Sequence, residues 1–287
     1  MLRFGFITCV KLGLSCMETI YQCGGRLEFA GTLLDEQARS KSGRIYLDEF
    51  CSLHSVPLQK FRNINDSYAV QAIRAASLDW LFIVGWSQIA RAPVLEATRL
   101  GVLGMHPTLL PVGRGRAAVP WAILLGLGET GVTLFKMDEG VDTGPIVAQE
   151  RVPIATDEDA TSLYHKVDEA HRALIRSNWR LLAAGTLLPV PQDDTQATVW
   201  LGRTPEQGRL ELSMPVVEAE RLVRAVTRPY PGAFIDLPAG RLRVWRAKIV
   251  ARGAEVVHGA NPAFPILRFQ GGNLEVTEGD WDARDPA

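Results

Sequence analysis

The chain has 287 residues, which at about 150 residues per domain predicts roughly two domains. Hydrophobic residues make up 47% and charged residues 22%, a composition that excludes intrinsic disorder, collagen-like repeats and a coiled coil. The 31 basic and 32 acidic residues leave a formal charge of −1, which offers no electrostatic footprint for a nucleic-acid backbone. No stretch approaches the roughly 18 apolar residues of a membrane span, and the N-terminus lacks a signal-peptide pattern.

The cysteines indicate the compartment. Cys9, Cys16, Cys23 and Cys51 form no Cys-x-x-Cys pair and have no histidine beside them at zinc-ligand spacing. We therefore expect buried, reduced thiols, no metal site and a cytoplasmic protein. The sequence leaves the oligomeric state open, a homodimer included.

The first 155 residues alternate short apolar runs with helix-like segments. Strands are predicted at residues 2–10, 27–34, 56–61, 80–84 and 101–105. Helices are predicted at 14–23, 45–55, 66–77 and 93–100, with a polar loop at 35–44. This alternation indicates an α/β fold with a doubly wound, mostly parallel sheet. The absence of Gly-x-Gly-x-x-Gly, P-loop and Gly-x-Ser-x-Gly patterns removes the main support for dinucleotide, nucleotide-hydrolysing and serine-hydrolase functions.

The pattern changes in the second half of the chain. A long helix is predicted to begin at Thr156, with Asp159 completing a capping box, and to end at Gly185. Residues 186–196 contain two prolines and several polar residues, a composition typical of a linker. Strands at 233–237, 241–250, 266–270 and 274–277 then surround a helix at 216–226. We expect domains at 1–190 and 198–287, the second being small, β-rich and OB-like, with a frayed tail from residue 280.

The densest unusual segment runs from Met105 to Arg116. It follows an apolar parallel strand, and ligands of open α/β sheets bind outside the carboxyl ends of such strands. The titratable His106 is therefore well placed for function. The alternative is a histidine that only hydrogen-bonds its own loop.

A second cluster contains a strand, an acidic loop and the turn Asp142-Thr143-Gly144. The distance in sequence from His106 is sufficient for one crossover back to the same edge of the sheet. A carboxylate beside an imidazole favours the charged ring and fixes its orientation, which suits a reaction that builds negative charge on a carbonyl oxygen. Asp-Thr-Gly is also a common turn, so a purely structural role is the alternative.

Together these motifs resemble the formyltransferase family that uses 10-formyltetrahydrofolate. The resemblance rests on His-Pro-Thr-Leu-Leu-Pro at 106–111, Arg-Gly-Arg at 114–116, Gly-Val-Thr at 131–133 and Asp-Thr-Gly at 142–144. Residues 202–206 and 224–234 are similar to the second domain of sugar-nucleotide and methionyl-tRNA formyltransferases. The likeness is strongest to enzymes that formylate a 4-amino-4-deoxy sugar attached to UDP, and it implies that 1–190 is the catalytic domain.

The resemblance implies that His106 polarises a formyl oxygen and aids proton transfer, and that Asp142 orients His106. The family's third catalytic position, an Asn, is Gly104 here. Loss of one such donor lowers the rate of other acyl-transfer enzymes by roughly 10²–10³. Three explanations are open: Gln88 or Ser87 supplies the donor, Gly104 makes room for a bulkier substrate, or the protein has changed its reaction or only binds ligands.

The resemblance also implies ligand contacts, with 10-formyltetrahydrofolate as co-substrate and small-molecule acceptors. Arginine side chains bind phosphate in two-point contacts, although a surface salt bridge is the alternative role for each arginine. For Trp86, packing in the core is as good an interpretation as contact with the folate. Residues 41–44 (Lys-Ser-Gly-Arg) are a further candidate phosphate loop. The folate positions are Val84, Gly85, Trp86, Asp138, Glu139, Gly140 and Val141. The acceptor positions are Pro107, Thr108, Arg114, Gly115, Arg116 and Arg203.

The favoured function is transfer of a formyl group from 10-formyltetrahydrofolate to the amine of a nucleotide-linked amino sugar. Methionyl-tRNA and small amino acids or hydroxylamines are alternative acceptors, and the charge of −1 argues against a basic tRNA channel. Two alternatives come from other classes. One is a catalytically altered folate- or nucleotide-binding protein, motivated by Gly104, and the other is a hydrolase that releases formate.

Overall fold

The computed structural model describes residues 2–38, 43–250 and 264–282. The chain divides into two compact units: the first contains residues 1–115, 129–153 and 166–200, and the second contains 116–128, 154–165 and 201–287. The sequence-based domain boundaries, 1–190 and 198–287, stay a prediction. No helix in the described part of the chain is long and apolar enough to cross a membrane.

The secondary structure alternates strands and helices through the first half of the chain. The strands are β1 (Phe4–Ile7), β2 (Phe29–Leu33), β3 (Leu58–Phe61), β4 (Trp80–Val84), β5 (Gly101–His106), β6 (Arg114–Gly115), β7 (Glu129–Lys136), β8 (Ile146–Pro153), β9 (Val199–Trp200), β10 (Ala233–Leu237), β11 (Gly240–Val250), β12 (Ile266–Phe269) and β13 (Gly272–Trp281). The helices are α1 (Lys11–Gln22), α2 (Asp35–Ala38), α3 (Asp48–His54), α4 (Ser67–Ala75), α5 (Ala92–Leu95), α6 (Ala118–Leu124), α7 (Ala160–Ala184) and α8 (Val216–Val226).

The first unit is built on a mostly parallel sheet whose described strands have the order β3-β2-β1-β4-β5-β7-β8. Strands β1 to β5 pair in parallel, and β7 and β8 add antiparallel pairs at one edge. Helices cover both faces: Ile7 packs in a core with Ile73 of α4, whereas Phe4, on the opposite face of β1, lies 4.9 Å from the Trp179 ring of α7. The predicted α/β class is therefore confirmed.

Several predicted elements shift or shorten. Strand β4 and helix α8 have the predicted bounds, but the predicted helix at 93–100 is only Ala92–Leu95, and the predicted loop at 35–44 begins with the short helix α2. Helix α7 begins at Ala160 rather than at Thr156. The reason is that Asp159 Oδ1 accepts from the backbone N–H of Ser162 at 2.8 Å, so Asp159 caps the helix from outside instead of lying within its first turn.

The prediction of a linker at residues 186–196 is wrong. Val190 and Ile146 exchange two backbone hydrogen bonds of 2.8 Å, and farther along β9 pairs in parallel with β6. This segment is therefore tied by backbone hydrogen bonds at Val190, although most of its residues are exposed. Its prolines and polar residues suit a strap held through its backbone as well as they suit a free linker.

The second unit contains an antiparallel sheet whose described strands have the order β10-β11-β13-β12. Helix α8 buries Ala219, Leu222 and Val223, and Arg221 on the same helix donates to the carbonyl of Leu124 in α6 at 3.5 Å. The predicted β-rich C-terminal sheet is confirmed, whereas its OB-like closure stays a prediction. Strand β13 continues to Trp281, so fraying from residue 280 is wrong for its first two residues. Residues 283–287 lie outside the described residues.

Candidate active site

His106 is the last residue of β5 and is held by contacts at both ring nitrogens. Its side chain is only 9% exposed. Nε2 lies 2.8 Å from the carbonyl oxygen of Gly113, and Nδ1 lies 3.5 Å from Oδ2 of Asp142. The structure therefore brings the two predicted catalytic side chains together at the carboxyl end of a central parallel strand.

Asp142 reaches His106 by a route that the sequence did not indicate. Strand β7 is antiparallel to β5, and its last residue, Lys136, lies opposite Leu103 rather than near His106. Asp142 returns to the same edge as His106, as expected, but strand β7 itself runs away from that edge. The loop that follows β7 turns back to bring Asp142 to the ring, and Asp142 has a left-handed φ of 56°, which only a few per cent of non-glycine residues adopt.

The His106 ring lies between two hydrogen-bond acceptors. The Gly113 carbonyl can only accept, so Nε2 carries the hydrogen in this contact. The Asp142 carboxylate accepts from the Gly115 N–H at 2.9 Å and forms an ion pair with the charged form of the ring across the 3.5 Å contact to Nδ1. The arrangement can thus hold a positively charged imidazole with a fixed orientation.

Gly104 has no space beside it for a substrate. A Cβ atom at this position would lie 2.9 Å from two ring atoms of Phe135 and 3.1 Å from Cγ of Met137. Phe135 is the cross-strand partner of Gly104 and is 3% exposed. The structure therefore contradicts the explanation that Gly104 makes room for a bulkier substrate.

Gln88 is engaged with the loop that follows β3. Its Oε1 accepts from the Ile64 N–H at 2.8 Å, and its Nε2 donates to the Arg62 carbonyl at 2.9 Å. To supply a donor in place of the missing Asn, the Gln88 amide would have to use its second hydrogen or leave this loop. Its proposed compensating role stays a prediction.

The first set of expected folate positions lies at the end of β4. Val84 is buried. Gly85 has a φ of 64°, and a Cβ there would lie 2.1 Å from Val10 Cγ2, so only glycine fits. The Trp86 ring lies edge-on to Phe61 at 5.8 Å between centroids. Its buried Nε1 has no hydrogen-bond partner in the described part of the chain, which leaves a donor for a ligand.

The second set of folate positions forms a closed turn. Asp138 Oδ1 accepts from the Gly140 N–H at 3.1 Å and from the Thr143 hydroxyl at 2.6 Å. Glu139 and Val141 are exposed at the tip of this turn. The loop thereby presents backbone and side-chain groups to solvent with a defined shape.

The expected acceptor positions of the first unit are largely occupied by internal contacts. The Pro107 carbonyl accepts from the Thr130 hydroxyl at 3.4 Å, and Gly115 bonds Asp142 as described. The Arg114 guanidinium donates to Gln192 and Asp194. Thr108 differs, because its buried hydroxyl has no partner among the described residues.

The second unit contains the other two expected acceptor positions. Arg116 is exposed, and within the described ranges its guanidinium makes no hydrogen bond or ion pair. Arg203 donates to the Gln207 carbonyl at 2.8 Å and lies 5.2 Å from the centroid of the Trp121 ring. Partial burial lowers the pKa of Arg203.

The candidate phosphate loop at 41–44 is only partly described, since Lys41 and Ser42 lie outside the described residues. Arg44 donates to the Asp35 carbonyl at 3.0 Å and stacks on Tyr46 at 3.9 Å from the ring centroid. In residues 2–38, 43–250 and 264–282, no cluster of three or more His, Cys, Asp or Glu residues could hold a metal ion.

The sequence interpretation missed Gln192, whereas for His171 it left a solvent-facing and a structural position open. Gln192 bonds the Asp142 turn, and the only signal for it was a polar residue just after two prolines. His171 of α7 is 1% exposed and bonds the Val167 carbonyl at 2.7 Å, which makes it structural rather than solvent-facing. Burial, aided by the charge of His106, lowers the pKa of His171 to about 4.

Two family models match the chain: "Formyl transferase" over residues 47–177 and "Formyl transferase, C-terminal domain" over residues 203–280. An N-formyltransferase from Helicobacter canadensis, solved with folinic acid and dTDP-3-aminofucose, is 16% identical with a TM-score of 0.68, covering 89% of this chain and 90% of its own. Methionyl-tRNA formyltransferase from Clostridium thermocellum is 19% identical with a TM-score of 0.60, covering 89% and 96%.

HypX from Aquifex aeolicus, solved with tetrahydrofolic acid, is 17% identical with a TM-score of 0.69 over 99% of this chain. This chain spans only 45% of the length of HypX. At such identities, the likeness to solved structures shows a shared fold. The two family models together match most of the chain, in the order expected of its two halves. The chain therefore belongs to the formyl transferase family.

Proposed function

We propose that this protein is an N-formyltransferase that moves a formyl group from 10-formyltetrahydrofolate to the amine of a nucleotide-linked amino sugar. The observation that carries the proposal is the 3.5 Å contact between His106 Nδ1 and Asp142 Oδ2 at the carboxyl end of β5. This pair can stabilise negative charge on a carbonyl oxygen, which acyl transfer requires.

The residues at the end of β4 and in the 138–143 turn fit a reduced folate. A flat, polar ring system needs close approach to backbone groups and a few donors. Trp86 Nε1 is a buried donor without a hydrogen-bond partner among the described residues, and the 138–143 turn presents exposed groups at Glu139 and Val141. The folinic acid and tetrahydrofolic acid in the two structural neighbours support the same assignment.

The folate would supply the formyl group, and side chains of this protein would stabilise the charges that develop during transfer. His106 would stabilise the negative charge that develops on the formyl oxygen. To contact that oxygen directly, Nε2 would exchange its bond with the Gly113 carbonyl for one with the substrate. Asp142 would keep the ring oriented through Nδ1 and would help to remove the amine proton through water.

Arginine chemistry supports our choice of acceptor. Arg116 and Arg203 supply guanidinium groups that suit a diphosphate. The dTDP-3-aminofucose in the Helicobacter canadensis neighbour supports an amino sugar. The formal charge of −1 disfavours the tRNA alternative. Cys9, Cys16 and Cys51 are buried and form no disulfide among the described residues, which supports a reducing, cytoplasmic location.

A thermal-shift panel followed by a transfer assay tests this proposal. UDP-, dTDP- and GDP-linked amino sugars are added with and without reduced folate, because ligand stabilisation rises with occupancy as RT ln(1 + [L]/Kd). We expect one sugar nucleotide and folate each to stabilise the protein, and mass spectrometry to detect the formylated sugar. Salt-sensitive, submicromolar tRNA binding would instead favour methionyl-tRNA.

One observation favours a second candidate function. Gly104 supplies no side-chain donor, and Phe135 fills the space beside it, which fits a protein that binds folate or nucleotide without turnover. Binding of both ligands without any formylated acceptor would support this candidate. Release of formate without an acceptor would support a hydrolase.

A further inference from the structure

One amide side chain, that of Gln192, bonds two carbonyl groups of the Asp142-Thr143-Gly144 turn. Gln192 Nε2 donates to the Asp142 carbonyl at 2.8 Å and to the Gly144 carbonyl at 2.7 Å. One NH₂ group therefore bonds both ends of the turn. Gln192 lies in the strap at 186–196, two residues after Val190, whose backbone bonds to Ile146 fix the strap beside the turn.

The turn requires such support because of its geometry. Asp142 has a left-handed φ of 56°, a conformation that is less stable than the usual regions for a residue with a side chain, although Asp adopts it more readily than most, and contacts around the turn help to hold it. Its carboxylate accepts from the backbone N–H of Gly115 at 2.9 Å. A shift of the turn would therefore move Oδ2 away from His106 directly.

Arg114 fixes the orientation of the Gln192 amide. Its Nε and Nη2 donate to Gln192 Oε1 at 3.1 and 2.7 Å, and Nη2 also donates to Asp194 Oδ1 at 2.6 Å. Because the guanidinium can only donate, the amide oxygen must face it, and the NH₂ group must face the two carbonyls. The Arg114 side chain is 10% exposed, which suits an internal anchor better than a phosphate ligand.

We infer that Gln192 is a positioning residue that, oriented by Arg114, holds the Asp142 carboxylate against His106. The kinetic part of this inference rests on the proposed function. Gln192 acts through Asp142 and touches no reacting atom. Arg114 is thereby reassigned from a substrate contact to the anchor of this network.

Gln192→Glu is the sharpest test because it keeps the size of the side chain and the acceptor for Arg114 but removes both donors. Gln196→Glu is the matched control: it makes the same chemical change on the same strap, where the one hydrogen bond of Gln196 Nε2 among the described residues goes to Thr195 Oγ1 at 3.4 Å. We expect Gln192→Glu to lower kcat about 100-fold, the effect typical of a displacement of about 1 Å at a reacting centre. We expect KM for the folate to change less than threefold.

A double-mutant cycle distinguishes positioning from a general structural role. In an Asp142→Asn background, we expect Gln192→Glu to change kcat by less than about twofold, because the group it positions has already lost its charge. An equal loss of kcat in both backgrounds overturns the inference. So does a Gln192→Glu enzyme whose kcat stays within twofold of wild type.

An NMR measurement keeps the inference testable without turnover. The ring ¹⁵N signals of His106, assigned by their loss in His106→Asn, report the hydrogen bond of Nδ1. We expect Gln192→Glu to change these signals as Asp142→Asn does, and Gln196→Glu to leave them unchanged. Unchanged His106 signals in Gln192→Glu overturn the positioning role whether or not any acceptor is formylated. If no acceptor is formylated but the His106 signals change as expected, the result counts against the proposed function and not against the positioning role of Gln192.

Discussion

Replacing Gly104 by Asn, with and without a change at Phe135, tests whether the missing side-chain donor limits turnover. A Cβ at 104 would approach two Phe135 ring atoms to 2.9 Å, closer than real Cβ contacts. The single variant Gly104→Asn must therefore displace the ring. Overpacking of this kind destabilises by about 1–3 kcal/mol, which for a unit of this size lowers Tm by roughly 2–12 °C.

Removing the Phe135 ring first should turn the effect of Gly104→Asn on stability from destabilising to stabilising. Phe135→Ala alone costs about 3–5 kcal/mol through lost packing and a cavity. In Phe135→Ala/Gly104→Asn, the new side chain fills part of that cavity, so the double variant should be more stable than the sum of the single effects. Differential scanning calorimetry of the four proteins measures this coupling.

The activity expectation follows from oxyanion-hole energetics. If the new amide reaches the developing charge, kcat of the double variant should exceed that of Phe135→Ala by up to about 10²–10³. Phe135→Ala/Gly104→Leu is the control, since Leu has nearly the shape of Asn but no donor. Equal turnover of the Asn and Leu double variants would refute the view that the missing donor limits the rate. A Gly104→Asn single variant with an unchanged Tm would refute the packing argument.

The remaining predictions concern charge and thiol chemistry. Asp142→Asn should keep the fold while lowering kcat by up to about 10⁴, as removal of an imidazole-orienting carboxylate does elsewhere; wild-type turnover would remove Asp142 from the mechanism. His171 has a pKa lowered to about 4 from 6.5 by burial, so the unfolded chain binds its proton first. Stability should therefore fall as the pH drops from 6.5 to 4, by about 3 kcal/mol in total, and calorimetry of His171→Gln should show a shallower pH slope. Burial raises the pKa of Cys51 to about 11 and that of Cys16 further, so a thiol reagent at pH 8 should modify neither in the native protein and both after unfolding, as mass spectrometry would show; rapid native labelling would contradict this burial.

Local sequence patterns were sufficient to predict the bounds of the elements whose apolar periodicity is strong. Strand β4 is a continuous apolar run, and α8 has a clear apolar stripe, and both have the predicted bounds. Ends set by particular hydrogen bonds were not predictable in the same way. The start of α7 depends on which backbone N–H group the Asp159 carboxylate caps. The local sequence is compatible with a helix that begins at Thr156 as well as with one that begins at Ala160.

The residues of the candidate site also fall into those that sequence motifs identified and those that only the structure revealed. His106 and Asp142 were identified from motifs, and the structure places them 3.5 Å apart. Gln192 could not be identified, because its role depends on carbonyl groups about 50 residues away in sequence. Arg114 had the chemistry of a phosphate ligand, and only its partners show that its guanidinium is already engaged.

The sequence by itself determined the α/β class and the family, and it predicted His106 and Asp142 as the catalytic side chains, because apolar periodicity and short motifs are local properties of the chain. Only the tertiary structure decided how Asp142 reaches His106, what fills the space beside Gly104 and what the strap at 186–196 bonds. These depend on strand direction, cross-strand register and contacts between distant segments. Such contacts form where the whole fold lowers the free energy, and no single stretch of residues encodes them.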